Sequence, residues 1–88
     1  MAEQHDDTVE VGESIEITDL VDQDGNLAGT IVDDVVVITN ESGSVVDETI
    51  DVFDADGNLV SEEEIIDVYD ADAHLVAESD EKIVIIND

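Results

Sequence analysis

The sequence predicts an all-β fold, a small antiparallel β-sandwich or barrel of about seven strands built from successive hairpins. Three observations carry this expectation. A turn-bearing unit recurs along the chain, the segments between turns alternate apolar with polar residues or run as β-branched stretches, and no window holds a sustained 3.6-residue apolar stripe.

Taken in order, Met1 to Asp7 offer no apolar partner to a core and read as an arm that is flexible or orders on a neighbour. Residues 8–88 read as a single β domain. Val9 to Val11 and Ile15 to Leu20 alternate apolar with Thr, Glu or Asp, with Gly12-Glu13-Ser14 as a bulge or turn between them. Ile31 and Val32 lead through Asp33-Asp34 into Val35-Val36-Val37-Ile38-Thr39, a β-branched run expected to be a central strand buried on both faces. Val45 to Phe53 and Ile65 to Tyr69 follow. Ser61 and Glu64 have capping-box spacing, which allows at most one helical turn before strand alternation resumes. Lys82-Ile83-Val84-Ile85-Ile86 closes the chain with a second run that is apolar on both faces, and its loss is expected to be severe.

The repeat is written in the turns. Asp51-Val52-Phe53-Asp54-Ala55-Asp56-Gly57-Asn58-Leu59-Val60 is matched 16 positions later by Asp67-Val68-Tyr69-Asp70-Ala71-Asp72-Ala73-His74-Leu75-Val76. An earlier copy, from Asp19 to Ala28, lies 32 positions before the first, and Ile38 to Val46 is a looser version. In each unit an Asp can accept from nearby backbone N–H groups. Gly25 or Gly57 can supply the positive φ of a type I turn with a G1 bulge, or the second centre of a type I′ turn. The two options differ by one residue in register, and both stand at this point. Ala73 replaces the glycine in the last copy, so that turn is expected to open or rearrange. Phe53 and Tyr69 hold equivalent repeat positions and are expected to pack as a core or cross-strand pair.

Composition sets the environment. The 88 residues include 27 acids and one base, Lys82, for a formal charge of −26 at pH 7. The Debye length falls from about 10 Å at 0.1 M salt to about 3 Å at 1 M, so such a chain is suited to molar KCl or NaCl. The acids recur in turns and on alternating strand positions, which favours halophilic solvation over the single acidic stripe of a DNA mimic. Nucleic acid and anionic membranes are expected to repel it, and the start of the chain lacks a signal peptide's basic and apolar regions, so synthesis in the cytoplasm is expected. With no Cys and no Trp, the core is expected to be thin and aliphatic, and docking or oligomerisation to complete its stability.

Candidate chemistry is sparse. Asp-x-Asp-Gly resembles part of a calcium loop. With Gly57 at position 6, Asp54, Asp56 and Glu63 fall on positions 3, 5 and 12, but Val52 falls on position 1, where a ligand is required. These three are weak metal candidates; no cofactor is expected, and Ca²⁺ is an alternative. No acid pair stands out for acid–base work, no Ser or Thr has an associated His, and a surface role is expected for His5 and His74, so no enzyme is expected. The expected function is a non-enzymatic accessory subunit of a larger halophilic assembly, most specifically a capsid or tail decoration protein of a haloarchaeal virus found in the virion. Alternatives are an acidic binding module or DNA mimic occupying a basic partner protein, and a Ca²⁺-binding β domain. Self-assembly or a protein partner is expected to use Val35, Val36, Val37, Ile38, Ile83, Val84, Ile85 and Ile86.

Overall fold

The computed structural model describes residues 8–86; the N-terminal arm expected over 1–7 lies outside them. The chain forms five strands, β1 (Glu10–Val21), β2 (Leu27–Asn40), β3 (Gly43–Asp54), β4 (Leu59–Asp70) and β5 (Leu75–Val84). They make one open antiparallel sheet in the order β1-β2-β3-β4-β5, a simple meander.

This differs from the seven-stranded sandwich or barrel that the sequence predicts. The bulge or turn expected at Gly12-Glu13-Ser14 is absent: β1 runs straight through it. The segment is polar without carrying a turn, because a pleated strand in a sheet with no covering layer can turn any side chain to water. β2 runs through Asp33-Asp34 as the sequence predicts. Ser61 to Glu64 likewise extends as part of β4 rather than forming a helical turn: one turn of helix makes too few hydrogen bonds to compete with two ladders. The central strand is β3, not β2.

Three turns share one geometry. The Asp22, Asp54 and Asp70 N–H groups donate to the Asn26, Asn58 and His74 carbonyls at 2.8, 2.9 and 2.9 Å. The Gly25, Gly57 and Ala73 N–H groups return to the carbonyls of the same aspartates at 3.0, 3.1 and 3.0 Å. With φ of +83°, +85° and +67° at these positions and a register shift in the strand pair beside each turn, this is the type I turn with a G1 bulge. Ala73 therefore keeps the turn that it was expected to open. The fourth connection, Glu41-Ser42, is tighter. Gly43 follows it at φ +146°, where an added Cβ would collide with the Tyr69 carbonyl oxygen of β4.

Register assigns side chains to faces. On one face Val11, Ile38, Val45, Val68 and Ala77 form an unbroken apolar row across all five strands. The next row on that face reads Glu13, Val36, Asp47, Ile66, Ser79, and on the opposite face Ser14, Val35, Glu48, Ile65, Asp80 are aligned. Acids and aliphatics thus share both faces.

No hydrophobic side chain is buried among the described residues. β3 is half-buried throughout, as is most of β2 and β4, whereas every residue of β1 and β5 is exposed. The Cα radius of gyration is 18.1 Å, against about 12 Å for a compact chain of this length. Phe53 and Tyr69 do not meet: Phe53 lies opposite Thr30 and Leu59, while Tyr69 lies opposite Ser44 and Leu75 at the other end of the sheet. The 16-residue repeat spans one strand and one turn, so equivalent positions fall on antiparallel neighbours and point to opposite ends.

Candidate functional site

Two kinds of acidic constellation are built by this fold, one in the turns and one across the strands. In the turns, the Asp22 Oδ1 accepts from the N–H groups of Asp24 and Asn26 at 2.9 and 3.0 Å. Asp54 Oδ1 accepts from Asp56 and Asn58, both at 2.9 Å, and Asp70 Oδ1 accepts from Asp72 and His74, also at 2.9 Å. Asn58 adds its side-chain amide to Asp54 Oδ2 at 3.3 Å. Donation from the Asn58 N–H, then from its amide and the Asp56 and Gly57 N–H groups, holds the Asp54 carboxyl below the ordinary carboxylate range.

These bonds decide what the weak metal candidates can do. Asp54 already spends both oxygens inside its own turn. Asp56 stands beside it, but Glu63 lies opposite Ile50, four residues along β3 from Asp54. At about 3.4 Å per residue that is roughly 14 Å, too far for one cation to be held by both. The structure instead brings Asp70, Asp72 and His74 together, with ligand atoms within 4.8 Å of one another and His74 Nδ1 3.6 Å from Asp70 Oδ2. His74 lies at the surface beside acids, as its sequence neighbours predict, and it is the turn geometry that gathers the three. His74 is exposed, and Asp70 Oδ1 is committed to the turn.

The cross-strand acids have a different character. Glu62 lies directly opposite Asp51, while Glu48 and Asp33, Glu13 and Asp34, and Glu64 and Asp47 are diagonal neighbours, each pair across a strand boundary and on one face. Glu63 and Asp80 repeat the diagonal arrangement between β4 and β5. A shared hydrogen bond to the facing aspartate, followed by Coulomb repulsion and desolvation, pushes the carboxyls of Glu13, Glu62 and Glu64 above their usual range. For Glu48 and Glu63 the shared bond again leads, with desolvation second. Such a bond exists only when one carboxyl of the pair carries a proton. Consistent with that requirement, Oδ1 of Asp33, Asp34, Asp47, Asp51 and Asp67 is shielded from water with no donor in reach.

The expected contact residues are distributed over the sheet. Val35 and Val37 lie on one face of β2, and Val36 and Ile38 on the other. Ile83 and Val84 end the edge strand β5 at 60 and 58% exposure; Ile85 and Ile86 lie past it, Ile85 donating its N–H to the Val60 carbonyl at 2.8 Å. A hollow of about 390 Å³ opens to solvent beside Val37, Val46, Tyr69 and Ala73. No helix among the described residues is long and apolar enough to cross a membrane. Comparison of the chain with protein-family models, curated proteins and solved structures finds no match.

Proposed function

We propose that this chain is a non-enzymatic structural subunit of a larger assembly in a high-salt environment, and that it acquires its hydrophobic core only on assembly. The observation that supports this reading is the absence of any buried hydrophobic side chain among the described residues. Folding must offset about 1–2 kcal/mol of backbone entropy per residue, and a sheet exposed on both faces gains little apolar burial in return. A second layer supplied by a partner or another copy would turn the open meander into the two-layer sandwich that the sequence pattern suggests. Decoration of a haloarchaeal viral capsid or tail is the narrowest form of this reading. It draws on the halophilic composition and on the fit of a thin sheet to a larger lattice.

Size-exclusion chromatography with light scattering in 3 M KCl, paired with thermal unfolding, tests the proposal. The purified chain is expected to run as an oligomer, or as a monomer that melts without a sharp transition. A monomer with cooperative unfolding would sink it.

The carboxyl pairs favour a second reading, an acidic module that binds a basic protein. Its complex would dissolve as salt rises, whereas assembly through aliphatic side chains would persist or strengthen.

A further inference from the structure

We propose that the cross-strand acids make this sheet a proton-loaded structure, one that tightens as pH falls from neutral into the carboxylate range and loosens as pH rises. The geometry is a connected network on each face. On one face, Glu13 of β1 faces Asp34 of β2, which faces Asp47 and Asp51 of β3 diagonally. These in turn face Glu64 and Glu62 of β4, and both glutamates meet Glu81 of β5. On the opposite face, Asp33 lies between Glu16 of β1 and Glu48 of β3. Glu48 meets Glu63 and Asp67 of β4, and these meet Asp80, Lys82 and Glu78 of β5. Lys82, the one base in the chain, lies opposite Glu63.

Two independent features point to proton uptake. Facing side chains on neighbouring strands are about 5 Å apart when directly opposite and about 7–8 Å apart on the diagonal, so every strand boundary carries like charges at close quarters. In addition, four of the five aspartates whose Oδ1 is shielded without a donor are the partners of Glu48, Glu13, Glu64 and Glu62. A proton placed between the members of a pair supplies that donor and removes one charge. Nothing else among the facing groups does both, since only Lys82 is basic.

Linkage fixes the sign. The raised carboxyls return to an ordinary value of 4.5 when the chain unfolds, so the sheet binds more protons than the unfolded chain at pH values between 4.5 and the raised values. Their contribution is complete below 4.5 and is lost as pH climbs through the folded values. Asp54 acts oppositely: its contribution is present above 3.8 and is lost as pH falls through its lowered folded value. Through these raised carboxyls the sheet therefore gains stability as pH falls from the raised values toward 4.5.

Thermal unfolding of the full chain in 3 M KCl, followed by circular dichroism from pH 7.5 to 4.5, is expected to show a midpoint that rises by several degrees on acidification. A flat or falling midpoint would overturn the proposal. The quadruple variant D33N/D34N/D47N/D51N is expected to melt higher than the parent at pH 7.5 and to lose most of the pH dependence. A charge-matched control, D24N/E41Q/D56N/D72N, changes only turn acids and is expected to retain it. Equal flattening in both would assign the effect to total charge and overturn the ladder. If the first variant does not fold, carboxyl ¹³C titration of the parent decides: Glu48 and Glu64 must titrate above the ordinary glutamate value of 4.5, and titration at or below that value refutes the proposal.

Discussion

At the scale of single residues, the turn aspartates outweigh the residue at the left-handed position. Ala73 sits at φ +67°, a conformation that costs a side-chain-bearing residue about 1–2 kcal/mol. It stays there because Asp70 Oδ1 accepts two backbone N–H groups and the Ala73 N–H closes onto the Asp70 carbonyl. Ala73→Gly removes the steric cost but adds about 0.5–1 kcal/mol of unfolded-state entropy. The expected net gain is about 0.5–1 kcal/mol, read as a higher urea midpoint with an unchanged slope. Gly43→Ala is expected to do the reverse and more strongly, by about 2 kcal/mol or more, because the new Cβ meets the Tyr69 carbonyl as well as a φ of +146°. A Gly43→Ala variant as stable as the parent would show that the Glu41-Ser42 turn can swing away from β4.

At the scale of elements, each strand touches only its neighbours in the chain, so the sheet behaves as a one-dimensional array. β1 and β5 each have one ladder and fully exposed side chains, while β3 has two ladders and half-buried ones. Hydrogen exchange is expected to be fastest in β1 and β5, slower in β2 and β4, and slowest in β3; uniform protection would mean that a partner covers the edges. Removing β5 should then cost less than the sequence suggested for a strand buried on both faces. The turns were legible because Asp, Gly and Asn occupy positions set by backbone geometry. Strand identity was legible from the β-branched runs. The number of strands was overcounted in part because Gly12-Glu13-Ser14 is polar, and polarity marks a break only where a strand must face a core. The carboxyl pairs were not legible, since they depend on register, and register follows from a choice between two turns that the sequence left open. Once the G1 bulge is fixed, Asp51 opposite Glu62 is a matter of counting.

At the scale of the whole molecule, charge and shape are linked through one length. Acids on adjacent strands that share no hydrogen bond have Cβ atoms about 5–8 Å apart. That separation lies inside the Debye length of about 10 Å at 0.1 M salt and outside the length of about 3 Å at 1 M. Salt thus acts between the strands themselves as well as between distant parts of a chain carrying −26. The expectation is that at pH 7.5 the far-ultraviolet β signal is lost in 0.1 M KCl and restored in 3 M KCl, that NaCl is equally effective, and that sucrose at matched osmolality is a poor substitute. Small-angle scattering then separates three outcomes for the unassembled chain. An unfolded chain of this length has a radius of gyration of about 29 Å and a compact one about 12 Å, whereas the single sheet has 18.1 Å. A passage from about 29 Å toward 18 Å as salt rises would show screening assembling an open sheet. Contraction to about 12 Å would show that the chain makes its own core, and the need for a partner to cover the sheet would disappear.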